Sequence, residues 1–370
     1  MNNSYDYLRT VNIGYVDSTG AVHITNSIRQ GGIVAIYYLG TLIGALAGGY
    51  IGDRIGRIKT VVVGCAWAIF GASFQCSAQN VAWMCCARII TGIGTGHLNA
   101  IVPVWAAETA THTSRGQFIA IEFTLNIAGV VVAYWLEFGM SFVDGGRSAA
   151  RWRFPIAFQV FMLLILMAII GFFPESPRWL VKMGRSEEAF YILTRLRGND
   201  PERARAELND IQKIVELEKQ TAKRNSYFSM FFGIGSGNLH LGRRVQLVIW
   251  LQIIQEWVGI AAITVYQPTI FALAGYASIK SQWLSGLNNT FYMFSTLIAV
   301  FTLDSWGRRV TLFWGAVVQG IAMFLLGGFT RLAINRPDQA AQFGAAAAAM
   351  TFLFTSTFGA TWLTVPWLYP

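Results

Sequence analysis

The stretch Gly49-Tyr50-Ile51-Gly52-Asp53-Arg54-Ile55-Gly56-Arg57-Ile58-Lys59 lies between two long apolar runs. A shortened copy, Asp304-Ser305-Trp306-Gly307-Arg308-Arg309, lies between two later ones. The pattern Asp-x-x-Gly-Arg predicts a tight turn, because glycine permits the backbone conformation that such a turn needs. The clustered cations predict that the loop lies on the cytoplasmic face of a membrane. A single copy could serve topology alone, but two copies at matching places are typical of a transporter built from internal repeats.

The composition predicts a membrane protein. Hydrophobic residues make up 54% of the 370-residue chain and charged residues 13%. The mean hydropathy is +0.45, whereas soluble domains carry about 25% charged residues. The net charge of +9 would suggest a nucleic-acid partner in a soluble protein. Here the cations concentrate in loops on one side of the predicted spans, so they set topology. We therefore expect a lipid bilayer as partner and no nucleic acid.

Apolar segments divide the chain into predicted domains. A hydrocarbon core of about 30 Å requires spans of roughly 20 residues. Nine such spans are predicted, at residues 31–50, 60–78, 81–107, 117–138, 154–173, 245–273, 283–303, 310–329 and 344–369. Residues 177–225 are charged and helix-forming, which predicts surface-lying amphipathic helices. The predicted domains are an extracellular segment at 1–26, an N-terminal bundle at 27–173, a cytoplasmic linker with short helices at 174–242, and an incomplete C-terminal bundle at 243–370.

Glycines and cysteines inside the spans are predicted to serve packing. In the first span glycine recurs every fourth residue, at Gly40, Gly44 and Gly48, which lets two helices approach closely. The sequence Gly92-Ile93-Gly94 could suggest a dinucleotide loop, but no strand precedes it, so helix packing is favoured. The four cysteines lack metal-ligand spacing with histidines. No metal, no cofactor and no enzyme activity are expected.

Further motifs lie within the spans and at their ends. They are Arg88-x-x-x-Gly92-x-Gly94-x-Gly96, Pro174-Glu175-Ser176-Pro177-Arg178-Trp179-Leu180, Gln255-Glu256-x-x-Gly259-Ile260, Tyr266-Gln267-Pro268 and Pro366-Trp367-Leu368-Tyr369-Pro370. Together with the two loop copies, they resemble the sugar porter family of the major facilitator superfamily over nearly the whole chain. Trp135-Leu136-Glu137-Phe138-Gly139 and Trp152-Arg153-Phe154-Pro155 are similar to fungal members, some of which carry polyols.

The resemblance implies an all-α fold with twelve spans in two pseudo-symmetric helical bundles and a sugar site between them. Aligned on the motifs, this sequence shows nine of the twelve, corresponding to family spans 2–10, with the last one cut short. We therefore expect a fragment or an incomplete gene model, and no transport by residues 1–370 alone. The alternative is a complete fold of nine spans.

The resemblance also assigns a charge network at the cytoplasmic ends of the helices. In the family such charges form ion pairs between the bundles that close the inner gate. The corresponding residues are Asp53, Arg54, Arg57, Glu108, Arg115, Glu175, Arg178, Asp304, Arg308 and Arg309. Each alone could be a solvated charge worth less than about 1 kcal/mol per pair, but a network is favoured. Arg88 is a further family position, in the third span.

A sugar site needs amides and carboxylates for the hydroxyl groups and aromatic faces for the ring. By spacing, Gln252, Gln255, Glu256 and Gly259 share one helical face. The resemblance adds Tyr266, in a segment that unwinds as the outer gate, and Trp367; core or lipid packing is the alternative for both. The full predicted set is Gln252, Gln255, Glu256, Tyr266, Glu122, Phe123, Asn126, Asn289, Tyr292 and Trp367.

The chain departs from the glucose carriers of the family. They have two adjacent glutamines where this chain has Gln255 and Glu256, and three further family amides fall on Phe123, Ala261 and Tyr292. A sugar or polyol is therefore expected as substrate, without implied hexose specificity. Glu256, with Glu122 as its rival, is the predicted proton-coupling group, since an ionised side chain in mid-span costs roughly 2.5–3.5 kcal/mol. Alternatively, Glu256 stays ionised and only accepts hydrogen bonds from the sugar.

The leading functional hypothesis is a multi-pass carrier of a sugar or polyol in the plasma membrane. It is expected to work as a monomer by alternating access. Proton symport is left open, because the family's coupling aspartate lies in span 1, which this sequence does not show. Two alternatives stay open: a transporter-like nutrient sensor, and a non-functional truncated product.

Overall fold

The computed structural model describes residues 5–16, 22–111, 115–143, 148–222 and 241–368. They are almost entirely helical, which confirms the predicted all-α class. The chain falls into two compact units, Met1–Ala110 with Gly139–Gln220 and Thr111–Phe138 with Thr221–Pro370. In this division the predicted fourth span, residues 117–138, groups with the second unit, whereas the predicted domain bounds placed it in the N-terminal bundle.

The described elements are introduced here in chain order. They are α1 (Tyr5–Thr10), β1 (Gly14–Val16), β2 (Val22–Ile24), α2 (Ser27–Ile55), α3 (Arg57–Cys76), α4 (Val81–Thr109), α5 (Arg115–Met140), α6 (Ala150–Ile170), α7 (Pro177–Lys182), α8 (Ser186–Leu196), α9 (Pro201–Ala222), α10 (Leu241–Trp257), α11 (Ile260–Leu273), α12 (Ser278–Trp306), α13 (Arg308–Asn335), a 3-10 turn (Pro337–Gln339), α14 (Ala340–Thr361) and α15 (Val365–Leu368).

The predicted spans are largely confirmed. In the described part of the chain, eight segments are long and apolar enough to cross a membrane: Ser27–Ile55, Arg57–Cys76, Val81–Thr109, Gly116–Met140, Ala150–Ile170, Gly242–Leu273, Arg308–Asn335 and Ala340–Trp367. The remaining prediction, 283–303, lies in α12. This helix is equally long, but it carries buried polar residues that lower its hydropathy, among them Ser285, Asn288 and Asn289.

Close contact between α2 and α4 organises the first unit. A Cβ atom on Gly44 would lie 2.1 Å from the carbonyl oxygen of Ile93, and one on Gly96 would lie 2.2 Å from that of Thr41. Only glycine leaves room for two backbones at this separation. The prediction that these glycines serve helix packing is therefore confirmed, including those that resembled a dinucleotide loop.

The N-terminal segment is folded onto the first unit. Strands β1 and β2 form an antiparallel hairpin, and Tyr7, Leu8 and Ile13 are buried against Trp152 and Met84. The Trp152 indole donates a hydrogen bond to Asp6 Oδ2 at 2.9 Å. Burial in this cluster raises the pKa of Tyr7. The sequence predicted only a polar, turn-rich stretch here, because the apolar side chains are too few and too scattered to give a periodic signal.

The two loop copies adopt the same local structure. Gly56 and Gly307 both have positive φ, 99° and 83°, which glycine adopts without strain. Four residues later the hydroxyl of Thr60 donates to the Gly56 carbonyl at 2.7 Å, and that of Thr311 donates to the Gly307 carbonyl at 3.0 Å. The internal repeat predicted from the sequence is thus present in the turns that open α3 and α13.

Candidate functional site

Arg57 is the centre of a charge network in the first unit. Its Nε and Nη2 atoms each lie 3.0 Å from a carboxylate oxygen of Glu108. Its Nη1 atom donates to the Gly52 carbonyl at 2.8 Å and to Asp53 Oδ1 at 3.0 Å. The side chains of Arg57 and Glu108 are 8% and 9% exposed. Both ends of this pair are therefore removed from water and held by bidentate geometry.

Glu175 binds the start of α3. Its carboxylate accepts hydrogen bonds from the backbone N–H groups of Arg57 at 2.9 Å and Ile58 at 3.2 Å. A negative charge at a helix N-terminus is favourable, because unpaired N–H groups and the helix dipole converge there. A Cβ on Gly56 would lie 2.5 Å from Glu175 Oε2, so glycine is required for this approach. Ser176 then caps α7 by accepting from the Trp179 N–H.

The structure places the other predicted network residues individually. Asp53 also accepts from Lys182 Nζ at 2.9 Å, and Arg178 pairs with Glu218 of α9. Arg54 instead lies over the Tyr50 ring, 4.3 Å from its centroid. Arg309, at the start of α13, is exposed, and Arg308 opens the same helix after the Gly307 turn. The side chains of Arg115 and Asp304 lie outside the described residues.

Lys182 and Glu218 were not identified as network residues from the sequence, because the linker sequence does not indicate which residues its helices contact. A second buried pair in this region was also missed. Arg197 binds Glu207 through contacts of 2.7 and 2.8 Å, and hydrogen bonds to that carboxylate raise the pKa of Arg197. Arg197 also donates to the carbonyls of Thr109 and Ala110, which are left unpaired by the end of α4.

In the second unit, the sixth predicted span is broken. Helix α10 ends at Trp257, Gly259 has a left-handed backbone with φ 96°, and α11 begins at Ile260. The proposed common face of Gln252, Gln255, Glu256 and Gly259 is therefore wrong at Gly259, which lies outside the helix. Within α11, Tyr266 departs from helical geometry with φ −106° and ψ 16°, two residues before Pro268. The helix is thus kinked at Tyr266, and the role of this segment as an unwinding outer gate stays a prediction.

Gln255 is bound to backbone. It is 4% exposed, and its Nε2 atom donates to the carbonyls of Trp362 at 2.8 Å and Leu363 at 3.3 Å. These carbonyls lie where α14 ends, before the short α15 that contains Trp367. Gln255 therefore caps the break between the two helices. Gln252 is half-buried and Glu256 is exposed on the same helix.

Aromatic groups of the predicted site meet in the second unit. The rings of Phe123 and Trp367 lie 5.4 Å apart, and Trp367 is 39% exposed, as an aromatic platform for a ligand would be. Tyr292 is 3% exposed and packs edge-on against Phe358. Asn126 is exposed. The structure thus brings Phe123 and Trp367 together and places Tyr292 in the core.

Helices α11 and α12 together carry three buried amide side chains. Asn289 Nδ2 donates to Gln267 Oε1 at 2.8 Å, and Asn288 Oδ1 accepts from the Thr355 hydroxyl at 2.8 Å. All four side chains are fully buried, at 0% exposure. The sequence selected Asn289 but missed Gln267, Asn288 and Thr355, because only the fold brings these positions together.

Two more predicted residues lie in mid-span. Glu122 is half-buried, and its Oε2 atom has no hydrogen-bond partner within the described part of the chain. In the first unit, Arg88 Nη1 donates to the Ile33 carbonyl at 3.1 Å, which ties α4 to α2.

Comparison with known proteins decides the family. The family profile described as "Sugar (and other) transporter" matches residues 2–370. The chain belongs to the sugar porter family of the major facilitator superfamily. Its members are transporters rather than enzymes, and the chain is a multi-pass membrane protein.

Similar proteins occur in fungi and bacteria. The chain is 33% identical over 344 residues to the MFS-type transporter oryC of Aspergillus oryzae, covering 91% of this chain and 62% of that protein. It is 30% identical over 356 residues to the sugar transporter STL1 of Saccharomyces cerevisiae, covering 93% and 59%. It is also similar to a galactose-proton symporter of Escherichia coli, 28% identical over 331 residues and covering 88% and 67%. The chain thus spans less than two thirds of the first two relatives.

The fold of this sugar porter resembles that of a solved transporter. The proton:xylose symporter XylE, determined with bound 6-bromo-6-deoxy-D-glucose, superposes with a TM-score of 0.81 and 22% identity. The match covers 99% of this chain and 76% of XylE. This likeness establishes the major facilitator fold.

Proposed function

We propose that this sugar porter carries a sugar or polyol across the plasma membrane by alternating access, coupled to protons and working as a monomer. The observation that carries the proposal is the broken sixth span. Interrupted helices in transporters free backbone groups at the substrate site and allow one half of the helix to move. Here the interruption lies at Gly259, beside Gln255 and Glu256. Relatives named as a sugar transporter and a galactose-proton symporter support the same class of substrate and proton coupling.

The second unit supplies suitable chemistry for such a ligand. The Phe123–Trp367 pair offers an aromatic surface, which suits the apolar face of a sugar ring. Glu256, exposed at the end of α10, is suited to accept hydrogen bonds from hydroxyl groups. Glu122, with an unpartnered carboxylate oxygen among the described residues, is suited to bind a proton. These two glutamates are the proposed coupling groups.

The charge network of the first unit is the proposed inner gate. The buried Arg57–Glu108 pair and the Glu175 contacts to α3 join three separate parts of the chain. Such a set of contacts stabilises one conformation of a two-state element, and substrate binding must supply the free energy that shifts the equilibrium.

Uptake measurements test the proposal. A full-length version of the protein is expressed in yeast cells that lack sugar carriers, and uptake of radiolabelled D-xylose, D-galactose, L-arabinose and D-sorbitol is measured with and without a protonophore. Saturable uptake that the protonophore abolishes is expected for at least one compound. Uptake that the protonophore leaves unchanged would contradict proton coupling. A transcriptional response to the sugar without uptake would support the sensor instead.

A further inference from the structure

Each of the three buried amide side chains on α11 and α12 has an atom without a hydrogen-bond partner among the described residues. After the bonds from Asn289 to Gln267 and from Thr355 to Asn288 are formed, three atoms have no partner within the described residues: Gln267 Nε2, Asn288 Nδ2 and Asn289 Oδ1. All three belong to side chains with 0% exposure. Buried polar groups are almost always paired, because leaving one unpaired in a protein interior is costly. Three buried atoms are therefore available to bond a further polar group.

We propose that Gln267, Asn288 and Asn289 form a hydroxyl-binding cluster that takes a hydroxyl group of the transported sugar or polyol. The two orphan nitrogens are donors and the orphan oxygen is an acceptor. A hydroxyl group both donates and accepts, so it matches a mixed set of this kind. None of the three side chains is charged, which favours a neutral polyhydroxyl compound over an organic ion. The proposal rests on the proposed transport function and adds the part of the site that recognises hydroxyls.

Two interruptions of the helix precede Gln267 and could let this part of α11 move. Gln267 follows both interruptions in the chain, the left-handed Gly259 and the non-helical Tyr266. Movement of this part of α11 at either point would separate Gln267 from Asn289 and expose both amides. The same Asn289 Nδ2 atom also donates to the Ser285 carbonyl of α12 at 2.9 Å, and this bond does not depend on the position of α11.

The cluster also fits the rest of the second unit. At Phe123 and Tyr292 the rings pack with Trp367 and Phe358, and Phe123 has no hydrogen-bonding group. Asn288 and Asn289 lie about one helical turn from Tyr292 on α12. Two of the three amides therefore share α12 with one of these aromatic residues, Tyr292, and sugar recognition combines polar with aromatic groups.

Water is the other source of a hydroxyl, and binding measurements separate the two. Purified protein is titrated with radiolabelled D-xylose, D-galactose, L-arabinose and D-sorbitol, and then with the mono-deoxy analogues of the best ligand. Gln267→Met and Asn289→Leu are expected to raise Kd at least about tenfold, roughly 1.4 kcal/mol. Wild-type protein should bind the analogue that lacks the recognised hydroxyl as weakly as the variants bind the parent sugar. Gln267→Met should bind the parent sugar and this analogue with the same Kd.

Matched variants keep the test decisive. Gln319→Met removes another buried glutamine with an unpartnered oxygen, on α13 outside the cluster, and should leave Kd unchanged. Gln267→Glu retains the acceptor for Asn289 but removes the orphan donor, so it should weaken binding if Gln267→Met does not fold. Lower melting temperatures with unchanged Kd values would show that the cluster holds only water and would overturn the proposal. Wild-type protein that binds no compound would overturn the transport function and the cluster together.

Discussion

Arg57 and Glu108 form a buried bidentate ion pair that joins the first residue of α3 to the last turn of α4. Both contacts measure 3.0 Å, and neither side chain is more than 9% exposed. Removing one partner from a buried pair leaves an uncompensated charge and costs about 3–5 kcal/mol, whereas exposed pairs contribute about 0–1 kcal/mol. Among the described pairs of this region, this one is therefore expected to dominate.

The first prediction concerns the inner gate. Arg57→Ala is expected to favour the inward-open state, so cysteines placed on the cytoplasmic side should react faster with a membrane-impermeant thiol reagent. Arg308→Ala should act in the same direction, because Gly307-Arg308 repeats the Gly56-Arg57 turn. Arg54→Ala is the control, since Arg54 lies over the Tyr50 ring. Equal thiol reactivity in all three variants would show that Arg57 and Arg308 only set membrane topology and do not hold the gate closed.

The second prediction concerns the contact between α2 and α4. Gly44→Ala would place a Cβ 2.1 Å from the Ile93 carbonyl oxygen, and such overpacking costs about 1–3 kcal/mol. The melting temperature in detergent should fall. Gly49→Ala is the matched control on the same helix, because a Cβ there meets nothing within 4 Å. It should be neutral or stabilising by up to about 1 kcal/mol, since alanine favours helix over glycine. Equal melting temperatures for the two variants would contradict the contact.

The local features of this fold could be predicted from the sequence. The Gly56 and Gly307 turns, the glycine spacing of α2 and the apolar lengths of the spans depend on residues close together in the chain. Turn chemistry and helix length act over such short ranges. The motif Pro174-Glu175-Ser176-Pro177 could be selected from the sequence for the same reason, although its capping of both α3 and α7 became apparent only in the structure.

Contacts between residues that are distant in sequence could not be predicted. Gln255 had the expected residue type, but its binding to the Trp362 carbonyl depends on where α14 ends. Gln267 pairs with a residue on another helix, and Lys182 reaches Asp53 across 129 residues of chain. Helical spacing gives the face of one helix and carries no information about which neighbour packs against it.

The third prediction concerns the N-terminal segment. Trp152→Phe removes the indole donor to Asp6 Oδ2, and hydrogen bonds to charged groups contribute about 1.5–3 kcal/mol. The backbone N–H groups of Val11, Ile13 and Thr25 are hydrogen-bonded in this segment. Their hydrogen exchange should therefore accelerate by about 10-fold to 100-fold, while exchange in α3 stays unchanged. Trp67→Phe is the control, because Trp67 is 43% exposed on α3. Unchanged exchange in the Trp152→Phe variant would show that apolar contacts alone hold the segment.

The last prediction separates proton coupling from substrate binding at the two glutamates. Glutamine keeps the shape of glutamate and can still hydrogen-bond a sugar, but it cannot take up a proton. If Glu256 or Glu122 couples protons, its Gln variant should lose concentrative uptake and retain exchange of labelled sugar across the membrane. Glu122 has the stronger structural support for this role, because its Oε2 atom has no described partner, while Glu256 is exposed at the end of α10. We therefore expect Glu122→Gln to abolish accumulation with exchange intact, and Glu256→Gln to weaken both.

Glu188→Gln, in a surface pair with Arg185, is the control and should change neither accumulation nor exchange. Loss of exchange in Glu122→Gln would make Glu122 a binding contact, and full activity of both variants would exclude both glutamates from coupling.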